Sequence, residues 1–207
     1  MDFQFYGANC LSLALKGTRI IIDDNLADLG AKSIIKPDDV ALFTGSHEGA
    51  KAGRLSFDSP GEYEVADVSV IGIAARAHMD EEGKHTATMF KLVVGDLKVL
   101  FTGHVYPELS DTQLETIGMV DLMFVPVGGN GYTVDPVGAL KLIKDIEPKL
   151  VVPTHYADKA LKFEVPQQDL AHALKELAME PQETVSKLKL KPSELSDLTH
   201  LIVLEKS

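Results

Sequence analysis

The chain has 207 residues, of which 45% are hydrophobic and 25% charged, a composition typical of a soluble globular protein. Its net charge of −11 argues against non-specific binding to nucleic acid or an anionic membrane, because both need clustered Lys and Arg. The single cysteine, Cys10, excludes an intrachain disulfide and a cysteine-rich zinc module. With no basic signal-peptide region and no membrane-length apolar stretch, we expect a cytoplasmic protein that binds neither nucleic acid nor membrane.

Signals of β-structure dominate the first half of the chain. The short segments FQFYG, CLSLAL and TRIIIDD are separated by Gly7 and by Lys16-Gly17, a spacing typical of a β-meander. The segment DVALFTG predicts a further strand that leads into the loop TGSHEGAKAG, residues 44–53. A strand that ends in Ser-His is a common way to place a metal ligand at the edge of a sheet.

The second half alternates strands with helices. Ser110 as N-cap and Gly118 as a stop predict a helix over 111–118, and further helices are predicted over 135–146 and 167–178. The apolar segments VDLMFVPV and PKLVVPTHY lie between them and predict buried strands. This strand-helix-strand order indicates parallel pairing through a right-handed crossover.

Together these elements predict one domain over residues 1–207. We interpret the chain as two similar halves, each β-rich first and helical later. The arrangement that best buries their apolar faces is an α/β fold with two packed mixed sheets and helices outside.

Four histidines occupy one kind of position, just after a strong predicted strand. They are His47, His78, His104 and His155, which follow the segments ALFTGS, IGIAARA, KVLFTG and LVVPT. Loops at strand ends can converge on one ligand, and imidazole is the commonest side-chain ligand of zinc-like ions. The other histidines, His85, His172 and His200, lack this placement. On spacing alone, a metal site and a set of capping or surface histidines are equally supported.

The segment VDLMFVPVGGNGYTVDPVGALKLIKDIEPKLVVPTHY resembles the metallo-β-lactamase fold superfamily. It is most similar to a small single-domain branch related to ascorbate-phosphate lactonases and zinc-dependent hydrolases. That branch carries a Gly-Gly-x-Tyr-Thr-x-x-Pro pattern followed by Pro-x-His-Tyr. The positions that carry the resemblance are Gly128, Gly129, Tyr132, Thr133, Pro136, Pro153, His155 and Tyr156, with one apparent inserted residue.

The resemblance implies a four-layer αβ/βα sandwich with the site at one edge of the sheets. It implies that His78 and His155 are metal ligands, that His104 stands where the family has a bridging Asp, and that Asp23 and Tyr156 support the site. A turn-forming Asp at a strand end explains Asp23 equally well.

The signature loop of the family, His-x-His-x-Asp-His, is reduced here to His47. If His47 is the first histidine of that motif, the remaining ligand positions hold Gly49, Lys51 and Ala52; if it is the second, they hold Gly45, Gly49 and Ala50. Neither register restores the Asp. A normal two-metal centre therefore cannot form, and the four histidines can hold at most one ion, closed if all four bind and open to water if three do.

Three functions remain open from the sequence. The first is a catalytically weak or inactive member of the hydrolase fold that binds a small anionic metabolite or a partner protein. The second is a mononuclear metal-dependent hydrolase of a small ester, lactone or phosphate, built on the four histidines. The third is an interaction domain with neither metal nor ligand. The expected cofactor is accordingly none or a single divalent metal, zinc above others.

Overall fold

The computed structural model describes residues 1–47, 50 and 53–207. In these residues two mixed β-sheets pack face to face and are flanked by α-helices, so the predicted α/β fold class is confirmed. Across the described residues, no helix is both long enough and apolar enough to cross a membrane.

The first sheet contains most of the N-terminal strands. From one edge to the other its order is β13-β1-β2-β3-β4-β5, antiparallel through β3 and parallel from β3 to β5. The strands are β1 (Asp2–Gly7), β2 (Cys10–Leu15), β3 (Thr18–Ile22), β4 (Val40–Leu42), β5 (Leu55–Phe57) and β13 (Leu188–Lys189).

The second sheet has the order β12-β14-β11-β10-β9-β8-β7-β6. It is parallel from β12 to β9 and antiparallel from β9 to β6. Its strands are β6 (Gly61–Val65), β7 (Val68–Ala75), β8 (Ala87–Val94), β9 (Leu97–Phe101), β10 (Leu122–Pro126), β11 (Leu150–Thr154), β12 (Pro181–Val185) and β14 (His200–Leu204).

The main apolar core lies between the two sheets. In β1 every second residue is buried, so Phe3 and Phe5 point inward, as the period of a half-exposed strand requires. By contrast, all five residues of β10 and of β11 are buried, because parallel strands are covered on both faces. Apolar burial on the two sides of the second sheet thus holds the layers together.

The helices pack on the outer face of the second sheet. They are α1 (Asp111–Ile117), α2 (Pro136–Ile146) and α3 (Leu170–Leu177), which agree with the predicted ranges to within three residues. Ser110 forms the predicted N-cap of α1 as part of a capping box with Gln113. Asp135 and Asp169 are the N-caps of α2 and α3. The side chain of each accepts one hydrogen bond, from the backbone N–H of the residue three positions later. A short 3₁₀ turn, Pro192–Glu194, precedes β14.

The predicted helical portion of the first half is wrong for the described residues, since all the α-helices lie after residue 110. Irregular segments cover the outer face of the first sheet instead. Leu26 and Ile35, between β3 and β4, pack there with Leu161, which follows β11. These apolar side chains bury that face without regular structure, so residues 23–39 can cover it without the apolar repeat of an amphipathic helix.

Candidate functional site

Several chemically active side chains follow strands that end at the same edge of the molecule. His104 follows β9 and His155 follows β11, and both strands run parallel to β10 between them. The carboxyl ends of parallel strands meet at one edge, so the two histidines are brought together from different loops. Asp23 directly follows β3 and reaches the same place from the first sheet.

The rings of His104 and His155 are in contact. Their centroids lie 4.4 Å apart in an edge-to-face arrangement with an interplanar angle of 85°. The loop after β7 is tied to them, because the His78 backbone N–H donates to the His104 carbonyl oxygen at 2.7 Å. Three of the four predicted histidines therefore come from three strand ends into one neighbourhood.

Two adjoining cavities open around these histidines. The first, of about 320 Å³, is lined by Asn9, His155 and the segment 162–165, and the second, of about 270 Å³, by His78 and the loop that follows it. They share one wall, formed by Asp23, Asn25, Ser46, His104 and Tyr132. We call the two together the His104 cavity.

Burial keeps the histidines of the His104 cavity uncharged at neutral pH. It lowers the pKa of His155 to about 4, although the Gln167 side chain opposes the shift. The pKa of His104 lies well below its ordinary value because of burial first and of the neighbouring His155 and His78 next. The pKa of His78 is lowered by burial and raised in part by Asp135. Neutral imidazoles keep a lone pair, which a ligand or a metal can use.

Asp23 is fixed in place by Thr44. One carboxylate oxygen accepts the Thr44 backbone N–H and the other accepts the Thr44 hydroxyl, each at 2.6 Å. Burial raises the Asp23 pKa to about 6, and the two hydrogen bonds oppose that shift. Thr44 thus uses one lone pair on each carboxylate oxygen and fixes the orientation of Asp23 in the wall of the cavity.

His47 does not join the other three histidines. Its ring stacks on Phe43, with centroids 4.3 Å apart, and its Nε2 lies 3.5 Å from a carboxylate oxygen of Asp58. It lines an open cleft with Asp58 and Ser59, and Gly45, Ser46 and Thr86 line both this cleft and the second cavity. His47 itself does not line the His104 cavity, so the predicted convergence of all four histidines in one pocket is not seen at His47, whose ring is held by Phe43 and Asp58.

The structure does not describe all of the signature loop. Of the positions assigned to lost ligands, Gly49, Lys51 and Ala52 lie outside the described residues. The role of the four histidines as metal ligands stays a prediction.

Tyr156, predicted to support the site, faces away from the His104 cavity. Its ring contacts Phe5 at a centroid distance of 5.7 Å, and its hydroxyl donates to the Leu204 carbonyl oxygen at 3.4 Å. Burial raises the pKa of Tyr156 to about 12. This side chain anchors the end of β11 between the sheets, so any support for His155 acts through the backbone.

The donor set decides which metal centres the site could hold. Within the described residues, no group of three or more His, Cys, Asp or Glu side chains is arranged to hold a metal ion. The buried Nδ1 atoms of His78 and His104 have no hydrogen-bond partner that would orient their rings as ligands. The described residues therefore do not offer the two sets of ligands that a two-metal centre needs, and a one-metal centre would require the rings to reorient.

Sequence reasoning missed Asn9, Asn25 and Gln167. Asn9 is buried, accepts the Thr154 hydroxyl at 2.8 Å and leaves its amide Nδ2 without a partner. Asn9 and Asn25 follow strand ends, as the histidines do, and extending that criterion to amides would have found both. Gln167 lies in an irregular segment, where no periodic signal marks it.

Residues 2–155 match the family model of the β-lactamase superfamily domain. A UPF0173 metal-dependent hydrolase of Thermococcus onnurineus is 30% identical over 101 residues, which is 46% of this chain and 44% of that relative. One from Aeropyrum pernix is 25% identical over 211 residues, covering 79% of this chain and 86% of the relative.

Structural comparison extends the match over nearly the whole chain. A solved protein of the metallo-β-lactamase superfamily from Thermotoga maritima has a TM-score of 0.77 at 25% identity. The superposition covers 99% of this chain and 98% of that one. The arrangement of sheets and helices is therefore shared from end to end, while the sequence has diverged widely.

Proposed function

Because the chain belongs to the metallo-β-lactamase superfamily, we propose that it is a divergent member that binds a small polar molecule in the His104 cavity. It hydrolyses the usual substrates of the fold slowly or not at all. The relatives named metal-dependent hydrolases support the ancestry of the site, and the residues around His104 support the divergence.

The observation that carries this proposal is a set of buried polar atoms without partners. Asn9 Nδ2, Asn25 Oδ1, and the Nδ1 atoms of His78 and His104 are buried and unbonded, and all four side chains line the His104 cavity. A buried polar group without a partner costs about 1–3 kcal/mol. Several at one cavity support a ligand that supplies the missing hydrogen bonds.

Weak hydrolysis follows from the donor set. In a two-metal hydrolase, paired ions polarise the substrate and lower the pKa of a bridging water. By the resemblance, His104 stands where the family has a bridging Asp, so the carboxylate of a two-metal centre is missing at that position. With water activation lost, the barrier rises by several kcal/mol, and each ~1.4 kcal/mol is a tenfold loss of rate.

A mononuclear hydrolase with a single zinc-like ion is the second candidate. It is favoured by one observation, the meeting of His78, His104 and His155 from three separate strand ends. Three neutral imidazoles would hold one ion and leave a position for water. This candidate requires the rings to turn toward a common point, which their present arrangement does not offer.

Turnover assays separate the two candidates. With phosphodiester, lactone and β-lactam substrates, and zinc added, we expect rates at least about 100-fold below those of a two-metal hydrolase of this fold. His155→Ala should change that low rate little. The measurement is kcat/KM for each substrate with and without zinc.

His172→Ala is the matched control, because His172 lies exposed on α3 beside Glu176 and does not line the cavity. Efficient zinc-dependent turnover that His155→Ala abolishes and His172→Ala preserves would overturn the weak-enzyme proposal in favour of a metal-dependent hydrolase.

A further inference from the structure

Gln167 contacts the ring of His155 from the irregular segment between β11 and α3. Its side-chain oxygen Oε1 lies 3.2 Å from His155 Nδ1, and both residues are buried. The His155 backbone is held as well, since its N–H donates to the Ala8 carbonyl oxygen at 2.7 Å. The ring is thus fixed from two directions.

The orientation of the Gln167 amide determines where His155 carries its proton. The amide nitrogen Nε2 of Gln167 donates to the Val165 carbonyl oxygen at 2.7 Å. That bond leaves the amide oxygen, which can only accept, facing His155 Nδ1. Nδ1 must therefore carry the hydrogen, and the other ring nitrogen, Nε2, keeps its lone pair.

Gly128 makes the contact sterically allowed. A Cβ at this position would overlap both the Gln167 amide oxygen and the His155 carbonyl oxygen. The Gln168 backbone N–H donates to the Gly128 carbonyl oxygen at 2.9 Å, which ties the Gln167 segment to the same loop. Gly128, the first glycine of the Gly-Gly pair after β10, therefore leaves room for Gln167 to contact His155.

We infer that Gln167 is a positioning residue that fixes the Nδ1–H tautomer of His155, so that the site presents a hydrogen-bond acceptor and selects ligands that carry a donor group. This ligand class extends the proposed binding function and rests on it. Hydroxyl, amide N–H and ammonium groups meet this requirement, whereas an ionised carboxylate offers only acceptors.

The charges around the first cavity favour the same ligand class. Among the described residues that line it, Asp23, Asp28 and Glu164 are acidic and Lys162 is the one cation. An oxyanion would be repelled by these carboxylates and by the lone pair of the ring. A neutral or cationic donor would be attracted by the ring lone pair, and a cationic one by the carboxylates as well.

Nitrogen NMR of the imidazole rings in the ligand-free protein tests the inference. In the native protein, we expect a protonated-type signal at Nδ1 and a lone-pair-type signal at Nε2 of His155. Gln167→Leu removes the acceptor, so the preference should be lost. Gln167→Glu keeps an acceptor oxygen and should keep the hydrogen on Nδ1. Acetate, which has no hydrogen to donate at neutral pH, should cause no saturable shift at His155 Nε2.

The matched control is Gln168→Leu, which changes the neighbouring glutamine and should leave the His155 signals as they are. A native spectrum with the hydrogen at Nε2, or a Gln167→Leu spectrum identical to the native one, would overturn the inference; if Gln167→Leu does not fold, the native and Gln167→Glu spectra decide. Saturable acetate binding at His155 would overturn the ligand class. None of these readouts depends on turnover, so failure here is distinguishable from failure of the proposed function.

Discussion

Replacing Gly103 with alanine should lower the free energy of unfolding by about 3 kcal/mol, because the new methyl group has no space and the backbone is left-handed at this position. Gly103 has φ +62°, in the left-handed region, and its Cβ would fall inside the Thr44 side chain. Thr44 cannot move away freely, since its hydroxyl and its N–H are bound by Asp23. The measurement is chemical denaturation of both proteins.

Gly95→Ala is the matched control, because Gly95 has a similar φ of +58° but nothing within 4 Å of the added Cβ. It should lose only about 1 kcal/mol, the cost of the left-handed backbone alone. Equal losses for the two variants would contradict the claim that Gly103 is required by packing against Thr44.

Asp23→Ala is expected to lower the free energy of unfolding by a similar amount, about 3 kcal/mol. The change removes two short hydrogen bonds and leaves the Thr44 N–H and hydroxyl buried without an acceptor. Asp28→Ala is the control, since Asp28 is exposed at the mouth of the same cavity and should change stability by less than about 0.5 kcal/mol.

Asp23→Asn separates hydrogen bonding from charge. Asparagine retains one acceptor oxygen and tolerates the φ of 47° at this position, so the loss should be only about 1 kcal/mol. Since the folded-state pKa of Asp23 is raised from 3.8 to about 6, its protonated form stabilises the fold fully below pH 3.8, and that contribution disappears as the pH rises through 6. Asp23→Asn should abolish this decline; a decline of native size would contradict the burial of an ionising carboxyl.

The second half of the fold could be predicted because its signals are local. Ser110, Asp135 and Gly118 mark helix ends by their own chemistry, and the apolar runs of β10 and β11 are typical of buried parallel strands. The irregular cover over the first sheet could not be predicted, because Leu26, Ile35 and Leu161 come from distant segments without a common period.

The candidate site shows the same limit. Strand-end position correctly brought His78, His104 and His155 into one neighbourhood, because parallel strands share an edge whatever their loops do. The direction of a ring past a strand end depends on contacts made across the fold. Phe43 and Asp58 hold the His47 ring outside the His104 cavity, and Gln167 determines which ring nitrogen of His155 carries the hydrogen. Neither effect has a signature in the sequence.

The metal-to-protein ratio of protein purified without an affinity tag tests the central claim most directly. If the site has lost its two-metal centre, elemental analysis should find no metal or at most one equivalent, and His104→Ala should not release a second ion. Two metal ions bound stoichiometrically per chain, and lost in His104→Ala and His155→Ala, would contradict the account, because the described residues offer too few ligands for two ions.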